Sequence, residues 1–293
     1  MAATQYLVGT TDTNWGTITN WSTGAAPAST DSTYLDQRAT KAIDSGLAQS
    51  AVVLANLYLS LGLTQLIGTA TTPLAIGVVA AYLGTTPNTT AALPGTTRFN
   101  ADFGTGAATI YVLGGNTTCA DSGLEATRFK CVNSSTKIYA TAGIFGVATS
   151  LPADVATFGE LDIAGSAQAN LSSGVTWTTI KQANTSKVNL ASGGTTFNQI
   201  GGTMKCTGTG AITTLIVGGR VTFNMRPASG AAVTTCTILP GGILDVSQIP
   251  SALTITTLNI WPGGTLIVNA ANPTHLTITN QIVLQNCGTL SAA

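Results

Sequence analysis

Pairs of adjacent glycines recur in the last third of this chain, and each pair interrupts a run of alternating apolar residues. The run at residues 256–269, TTLNIWPGGTLIVN, shows the pattern. Read alone, it predicts a β-hairpin, because a Gly-Gly pair suits a two-residue turn with positive φ. The same device recurs in a series whose second glycines are Gly202, Gly219, Gly242 and Gly264, and a degenerate copy follows at Gly288, where Cys287 stands in place of the first glycine. The spacings are 17, 23, 22 and 24 residues. Such a period is typical of stacked repeat architectures.

Side chains at equal distances from these glycines share their character. The residues two and four positions after each second glycine are all apolar: Met204 and Cys206, Val221 and Phe223, Leu244 and Val246, Leu266 and Val268, Leu290 and Ala292. The residues between them are mostly polar, as in a strand with one buried face: Lys205, Thr222, Asp245, Ile267 and Ser291. Before the glycines, Leu215, Ile238 and Ile260 continue the inward set.

A chain that returns to strand, turn and strand about every 20 residues is most simply a β-solenoid, in which each coil covers the one before it. The sequence therefore predicts an all-β fold, a parallel β-helix. The glycines are expected at corners, where positive φ or a close backbone approach excludes a Cβ. A β-sandwich or jelly roll is the alternative, because regular short strands separated by turn residues also describe that fold.

Composition supports strands and suggests two regions. Only 8% of the 293 residues are charged and 44% are hydrophobic, with Thr, Ser, Asn and Gly making up much of the remainder. The apolar runs at 51–63 and 74–84 are too short to span a bilayer and predict buried strands. Residues 1–40 differ, with two tryptophans and a polar cluster, and are interpreted as an N-terminal cap or attachment segment. Residues 41–293 are interpreted as the solenoid.

Charge and reactive residues give little indication of chemistry. Eleven basic and eleven acidic side chains cancel, so neither nucleic acid nor an anionic membrane is an expected partner. One histidine and no CxxC pair argue against zinc, and the cysteines are expected to be buried thiols: Cys119, Cys131, Cys206, Cys236 and Cys287. No metal, cofactor or catalytic residue is predicted.

Several residues are nevertheless candidates for a site. Glu160 and Asp162 project from one strand face and could form a carboxylate pair, although solvated side chains on an outer face are the favoured interpretation. For Asp121, Glu125 and His275, a role in a loop or turn is likewise favoured over a role in catalysis. The tryptophans Trp177 and Trp261 were expected to be exposed, where they could stack on sugars or serve in packing.

Two further stretches carry a resemblance. The segment NWSTGAAPASTDSTYLD is similar to the opening of β-solenoid proteins. The runs DSGLAQSAVVLANLYLSLGLTQLIGTATTPLAIG and GTTRFNADFGTGAATIYVLGG resemble phage-encoded β-helical virion structural proteins, of the capsid decoration (cement) or fibre type. The resemblance implies a non-enzymatic protein on the outside of a tailed-phage head, made in the host cytoplasm, that stabilises the shell.

Partners follow from the same interpretation. The major capsid protein is the expected partner, and self-association into a homotrimer is expected because open solenoid ends and edges need covering. Trp15 and Trp21 are the candidate capsid contacts, since aromatic side chains commonly anchor interfaces. The alternatives are a tailspike or fibre that binds a receptor, a β-helical enzyme that degrades glycans, and a bacterial surface adhesin.

Overall fold

A computed structural model gives the architecture of the chain. It describes residues 2–9, 11–84, 97–114, 125–149, 151, 155–208, 210–223, 232–249, 252–269, 271–283 and 289–292. The chain divides into two compact units, Met1–Gly159 and Glu160–Ala293. The strands pair in parallel from coil to coil, so the protein is an all-β parallel β-helix, as the glycine repeat predicted.

The first unit is built from short strands and two longer ones that turn a corner. Its strands are β1 (Thr4–Tyr6), β2 (Ser32–Leu35), β3 (Ala48–Leu59), β4 (Leu74–Leu83), β5 (Phe99–Asp102), β6 (Thr109–Val112), β7 (Thr127–Lys130), β8 (Lys137–Ala140) and β9 (Ile144–Val147). β10 (Val155–Ile163) crosses the division between the units. A single-turn 3-10 helix lies at Ile18–Asn20.

Two parallel stacks enclose the interior of this unit. One stack runs β1–β2–β3–β4–β6–β8 and the other runs β5–β7–β9. The inward row of the first stack is Leu7, Leu35, Leu59, Leu83, Val112 and Ala140, and all six are buried. The second stack contributes Phe99, Phe129 and Phe145. β1 pairs in register with β2, and β2 pairs with β3, so residues of the segment interpreted as a cap continue the stack.

The second unit repeats the design with greater regularity. Its strands are β11 (Gln168–Leu171), β12 (Gly174–Gln182), β13 (Lys187–Leu190), β14 (Gly194–Gln199), β15 (Thr203–Cys206), β16 (Ile212–Val217), β17 (Arg220–Phe223), β18 (Ala232–Ile238), β19 (Ile243–Asp245), β20 (Leu253–Ile260), β21 (Thr265–Val268), β22 (Leu276–Val283) and β23 (Thr289–Ala292). Odd-numbered strands stack on odd and even on even. A 3-10 turn lies at Pro273–His275.

The core of this unit confirms the predicted inward positions. Met204, Cys206, Val221, Phe223, Leu244, Val246 and Leu266 are buried, as are Leu215, Ile238 and Ile260. Val268 is only half-buried. The side chains of Leu290 and Ala292 lie outside the described residues. Asp245, expected on the outer face, is also buried and forms an ion pair with Arg220.

The strands on either side of a glycine pair do not pair with each other. β20 pairs with β18 and β22, and β21 pairs with β19 and β23, so the Gly263-Gly264 pair forms a solenoid corner and not a hairpin. Positive φ falls on Gly263, with φ 78°. Gly264 is required for a different reason, because a Cβ there would lie 2.9 Å from the Cγ2 of Ile238. Both expected reasons for glycine therefore operate, on neighbouring residues.

Candidate functional site

All six tyrosines of the chain form one ladder on the outer face of the first unit. Parallel pairing places them in register across six strands, as Tyr6, Tyr34, Tyr58, Tyr82, Tyr111 and Tyr139. Centroids of adjacent rings lie 4.9, 4.4, 4.7, 4.9 and 5.5 Å apart in that order. The central rings are almost parallel, with interplanar angles of 8 to 10°. We call this row the tyrosine ladder.

The ladder arises because each tyrosine occupies the same outward position of its strand. In-register parallel strands bring identical side chains together at the strand spacing of about 4.8 Å, which suits stacked rings. Each tyrosine is followed by a buried inward residue, so the backbone fixes which way the ring projects. All six are half-buried. Because neighbours cover their ring faces, the inner tyrosines offer ring edges and hydroxyl groups to a partner.

The first end of the tyrosine ladder is closed by a cation. The guanidinium carbon of Arg38 lies 3.6 Å from the centroid of the Tyr6 ring, a cation–π contact. Arg38 also forms an ion pair with Asp36. Hydrogen bonds from the Arg38 side chain hold the pKa of Asp36 below its usual value, despite the opposing effect of burial. The arginine is therefore held in place over the ladder by a charged partner.

The phenol of Tyr58, in the middle of the row, is held in its neutral form. Burial raises the pKa of Tyr58 above its usual value, and the neighbouring Tyr34 and Tyr82 add to the effect. A neutral phenol can donate and accept a hydrogen bond at its hydroxyl group. Tyr58 thus presents a neutral donor–acceptor group at the centre of the tyrosine ladder.

An open groove runs beside the other end of the tyrosine ladder. Its volume is about 610 Å³, and its lining includes Tyr111, Tyr139, Thr109, Ser135 and the exposed Lys137. Val79, which is 59% exposed, adds an apolar wall. Aromatic, hydroxyl and cationic groups converge here, which is the composition of many binding surfaces. No protein-family model, curated protein or solved structure matches this chain.

The two tryptophans chosen as capsid contacts occupy the interior. Trp15 is fully buried and Trp21 is 2% exposed, with their rings edge to face at a centroid distance of 4.7 Å. Trp21 donates a hydrogen bond from Nε1 to the backbone oxygen of Trp15 at 2.8 Å. Their side chains present almost no exposed surface, so their burial argues against direct contact with a capsid. They hold the first coil together.

The tryptophan at position 177, which was expected to be exposed, is buried as well. Trp177 is 2% exposed, packs edge to face on Phe197 and donates a hydrogen bond to Ser192. Gly194 is the reason it fits, because a Cβ there would lie 2.2 Å from the indole ring. Trp261 is 44% exposed at its corner, as expected.

The acidic candidates are engaged in local contacts. Glu160 forms a 2.9 Å ion pair with Lys181. Glu125 is buried and holds Arg128 and the Thr149 hydroxyl, while Asp121 lies outside the described residues. His275 makes a 2.9 Å hydrogen bond between its Nδ1 and the backbone oxygen of Ile249 in a turn.

Another groove is lined by two carboxylates that the sequence did not suggest as a pair. Asp44 and Asp102 both line a cavity of about 510 Å³ in the first unit, together with Lys130. Asp102 forms a 3.0 Å ion pair with Lys130 and accepts a hydrogen bond from the backbone amide of Gly104. The two aspartates come from different coils, which is why spacing along the chain gave no signal.

Other kinds of site have little support in the described part of the chain. Within those residues no group of three or more His, Cys, Asp or Glu side chains is placed to hold a metal ion. None of the helical segments described has the length and apolar character needed to cross a membrane. Cys131, Cys206 and Cys236 are free and buried, as expected; Cys119 and Cys287 lie outside the described residues.

Proposed function

We propose that this protein is a structural component of a virus particle, a β-helical decoration protein that docks on the outside of the capsid through its tyrosine ladder. The ladder is the observation that carries the proposal. It gathers every tyrosine of the chain on one outward row, while other apolar side chains occupy the inward positions of the same strands. The resemblance of the sequence to virion structural proteins supplies the biological setting.

The ladder suits docking on a protein surface for a physical reason. A tyrosine that is free to rotate loses conformational freedom when a partner binds, which reduces affinity. In the ladder the neighbouring rings have already restricted that rotation, at centroid distances of 4.4 to 5.5 Å. Tyrosine is also enriched in interface centres, because it combines apolar area with one hydroxyl group. Binding therefore restricts little further side-chain rotation, and each tyrosine contributes apolar contact area and a hydroxyl group.

The mechanical role follows from the continuity of the core. Each inward leucine of the first stack lies in register with the one in the next coil, so the unit has little freedom to deform. A rigid body attached across neighbouring capsid subunits adds contacts that resist expansion of the shell. A homotrimer is the proposed assembly, since threefold positions exist on icosahedral shells and closed symmetry covers exposed edges without forming filaments. Its mass in solution is the test of that part.

Electron cryomicroscopy of native particles tests the location. We expect density of the size of this β-helix in many copies over the shell. Absence of the protein, or a few copies at the tail, would overturn the proposal.

Docking through the tyrosine ladder is tested with variants and undecorated heads. The double variant Tyr58→Ser and Tyr111→Ser removes two interior rungs, and Trp261→Ser removes an exposed aromatic far from the ladder in sequence as the matched control. We expect co-sedimentation of the double variant with heads to weaken about tenfold or more, because loss of one interface anchor commonly costs 1 to 2 kcal/mol or more, roughly a factor of ten. Equal weakening by the control, with both proteins folded, would contradict docking through the ladder.

A glycan-degrading enzyme is the second candidate, and the groove with Asp44 and Asp102 favours it. Glycoside hydrolysis uses two carboxylates that face one cleft. Incubation with host polysaccharide should then shorten the chains, and Asp44→Asn should abolish the shortening. Intact polysaccharide after incubation with the wild-type protein would exclude this candidate for that substrate.

A further inference from the structure

The central rungs of the tyrosine ladder are arranged for a covalent modification as well as for binding. Tyr58 lies between Tyr34 and Tyr82, with ring centroids 4.4 and 4.7 Å away and interplanar angles of 10° and 8°. The backbone register holds these rings in that order, one per coil. Each phenol therefore has a second phenol beside it within one strand spacing, and the half-buried side chains remain partly accessible to solvent.

We infer that the tyrosine ladder is a site of oxidative cross-linking, at which a peroxidase-type oxidant joins successive coils through dityrosine bonds. The oxidant removes one electron from each of two neighbouring phenols, and each phenol releases its hydroxyl proton. The two neutral phenoxyl radicals combine through a carbon–carbon bond between ortho positions. Each ortho hydrogen then moves to the oxygen of its own ring, which restores both aromatic rings. The two electrons and two protons reduce one hydrogen peroxide to two waters, so the reaction balances.

Accessibility favours the tyrosines over other oxidisable side chains of the first unit. Trp15 is fully buried, Trp21 is 2% exposed and Cys131 is fully buried, whereas the ladder tyrosines are half-buried with their edges outward. The thiolate is the form of cysteine that oxidants attack, and burial raises the pKa of Cys131 to about 12. Among the described residues of this unit, the ladder is thus the easily oxidised group that a solvent-borne oxidant reaches.

The neighbouring ring also determines the product. A phenoxyl radical on Tyr58 has a potential coupling partner on each side within one strand spacing, so coupling within the chain is favoured over an encounter with another molecule. The new bond joins ring edges, so one ring must turn outward. The open side of the ladder gives it room to do so. The product links residues one coil apart and shortens the free chain available to the unfolded state.

Peroxidase treatment of the purified full-length protein tests the inference. Horseradish peroxidase and hydrogen peroxide are added, and cross-linked peptides are mapped by mass spectrometry. We expect dityrosine between Tyr34 and Tyr58, between Tyr58 and Tyr82 and between Tyr82 and Tyr111, in a chain that keeps its monomeric mass less two hydrogens per bond. The melting temperature should rise by roughly 5 °C, as for a disulfide that closes a loop of similar length.

Tyr58→Phe is the matched variant, because phenylalanine keeps the stacked ring but cannot form a phenoxyl radical. Both bonds to position 58 should vanish, while coupling between Tyr82 and Tyr111 persists. Unchanged circular dichroism shows that the variant is folded. Cross-links between molecules only, links without register preference, or none at a dose that couples free N-acetyltyrosine would each overturn the inference. The experiment needs no capsid, so its outcome is independent of the proposed docking.

Discussion

Replacement of Leu244 by alanine tests the stacking of the second unit most directly. Leu244 is fully buried, and its register neighbours are Val221 in one adjacent coil and Leu266 in the other. Removing three carbon atoms costs about 2.4 kcal/mol at about 0.8 kcal/mol each. Parallel strands hold both neighbours in place, so the site collapses poorly, and a cavity of about 60 Å³ adds roughly 1.4 kcal/mol at about 24 cal/mol per Å³. The expected loss is about 3 to 4 kcal/mol.

Equilibrium unfolding in guanidinium chloride measures that loss, provided that the slope of free energy against denaturant is the same for both proteins. Leu61→Ala is the control, because it makes the same chemical change at a leucine that is 61% exposed. We expect the control to lose less than about 1 kcal/mol. A loss below about 1 kcal/mol for Leu244→Ala, or equal losses for the two variants, would refute the inward assignment and the coil alignment on which it depends.

Three further measurements probe the corners, the first coil and the thiols. Gly241 has φ 77° with open space around it, so Gly241→Ala should cost about 1 to 2 kcal/mol of stability and Gly241→Asn should cost less. At Gly242 a Cβ would lie 2.1 Å from the Val217 oxygen, so both substitutions there should cost more. Equal costs at the two positions in thermal melts would contradict this distinction. The pKa of Asp36 is lowered by hydrogen bonds from Arg38, so its ionised form adds stability that is complete above about pH 4, the unfolded pKa, and is lost as the pH falls through the folded pKa. Asp36→Asn should therefore melt at a lower temperature than wild type at pH 7, and the gap should close in acid; a gap independent of pH would exclude the ion pair as its cause. Burial raises the pKa of Cys131, Cys206 and Cys236 to about 12, 11 and 12. Native protein at pH 8 should therefore resist alkylation by iodoacetamide at these three thiols until it is unfolded. Rapid alkylation of any of them in the native protein would show that this thiol is open to solvent.

The local alternation of the second unit was readable from sequence. Inward and outward positions of a strand differ by one residue, so the apolar pairs after each glycine identified the buried face without knowledge of the partners. The confirmed burial of Leu244 and Leu266 shows this. The corner glycines were located correctly for the same reason, since they interrupt a pattern of period two. Which glycine of a pair takes positive φ, Gly263 or Gly264, was decided by how the adjacent coil packs against the corner.

The tyrosine ladder corresponds to a sequence pattern that the glycine spacing does not reveal. Each tyrosine precedes an apolar inward residue, in QYL, TYL, LYL, AYL, IYV and IYA, at intervals of 24 to 29 residues. A search for recurring Tyr-Leu pairs would have suggested a common strand position in the first unit. It would not have shown ring stacking, because the intervals vary and the register across them depends on loops of different length.

Sequence by itself determined which face most strands of the second unit bury and favoured parallel stacking over a sandwich, because side-chain alternation and a repeat near 20 residues indicate both. Only the tertiary structure decided which side chains of different coils are neighbours. It buried Trp15, which was predicted to contact a capsid, and Trp177, which was predicted to be exposed, and it placed Asp44 and Asp102 in the lining of one groove. It also aligned six tyrosines into one row. Burial and side-chain neighbours depend on atoms of other coils, whose position is fixed by the hydrogen-bond register between strands and not by any local stretch of the chain.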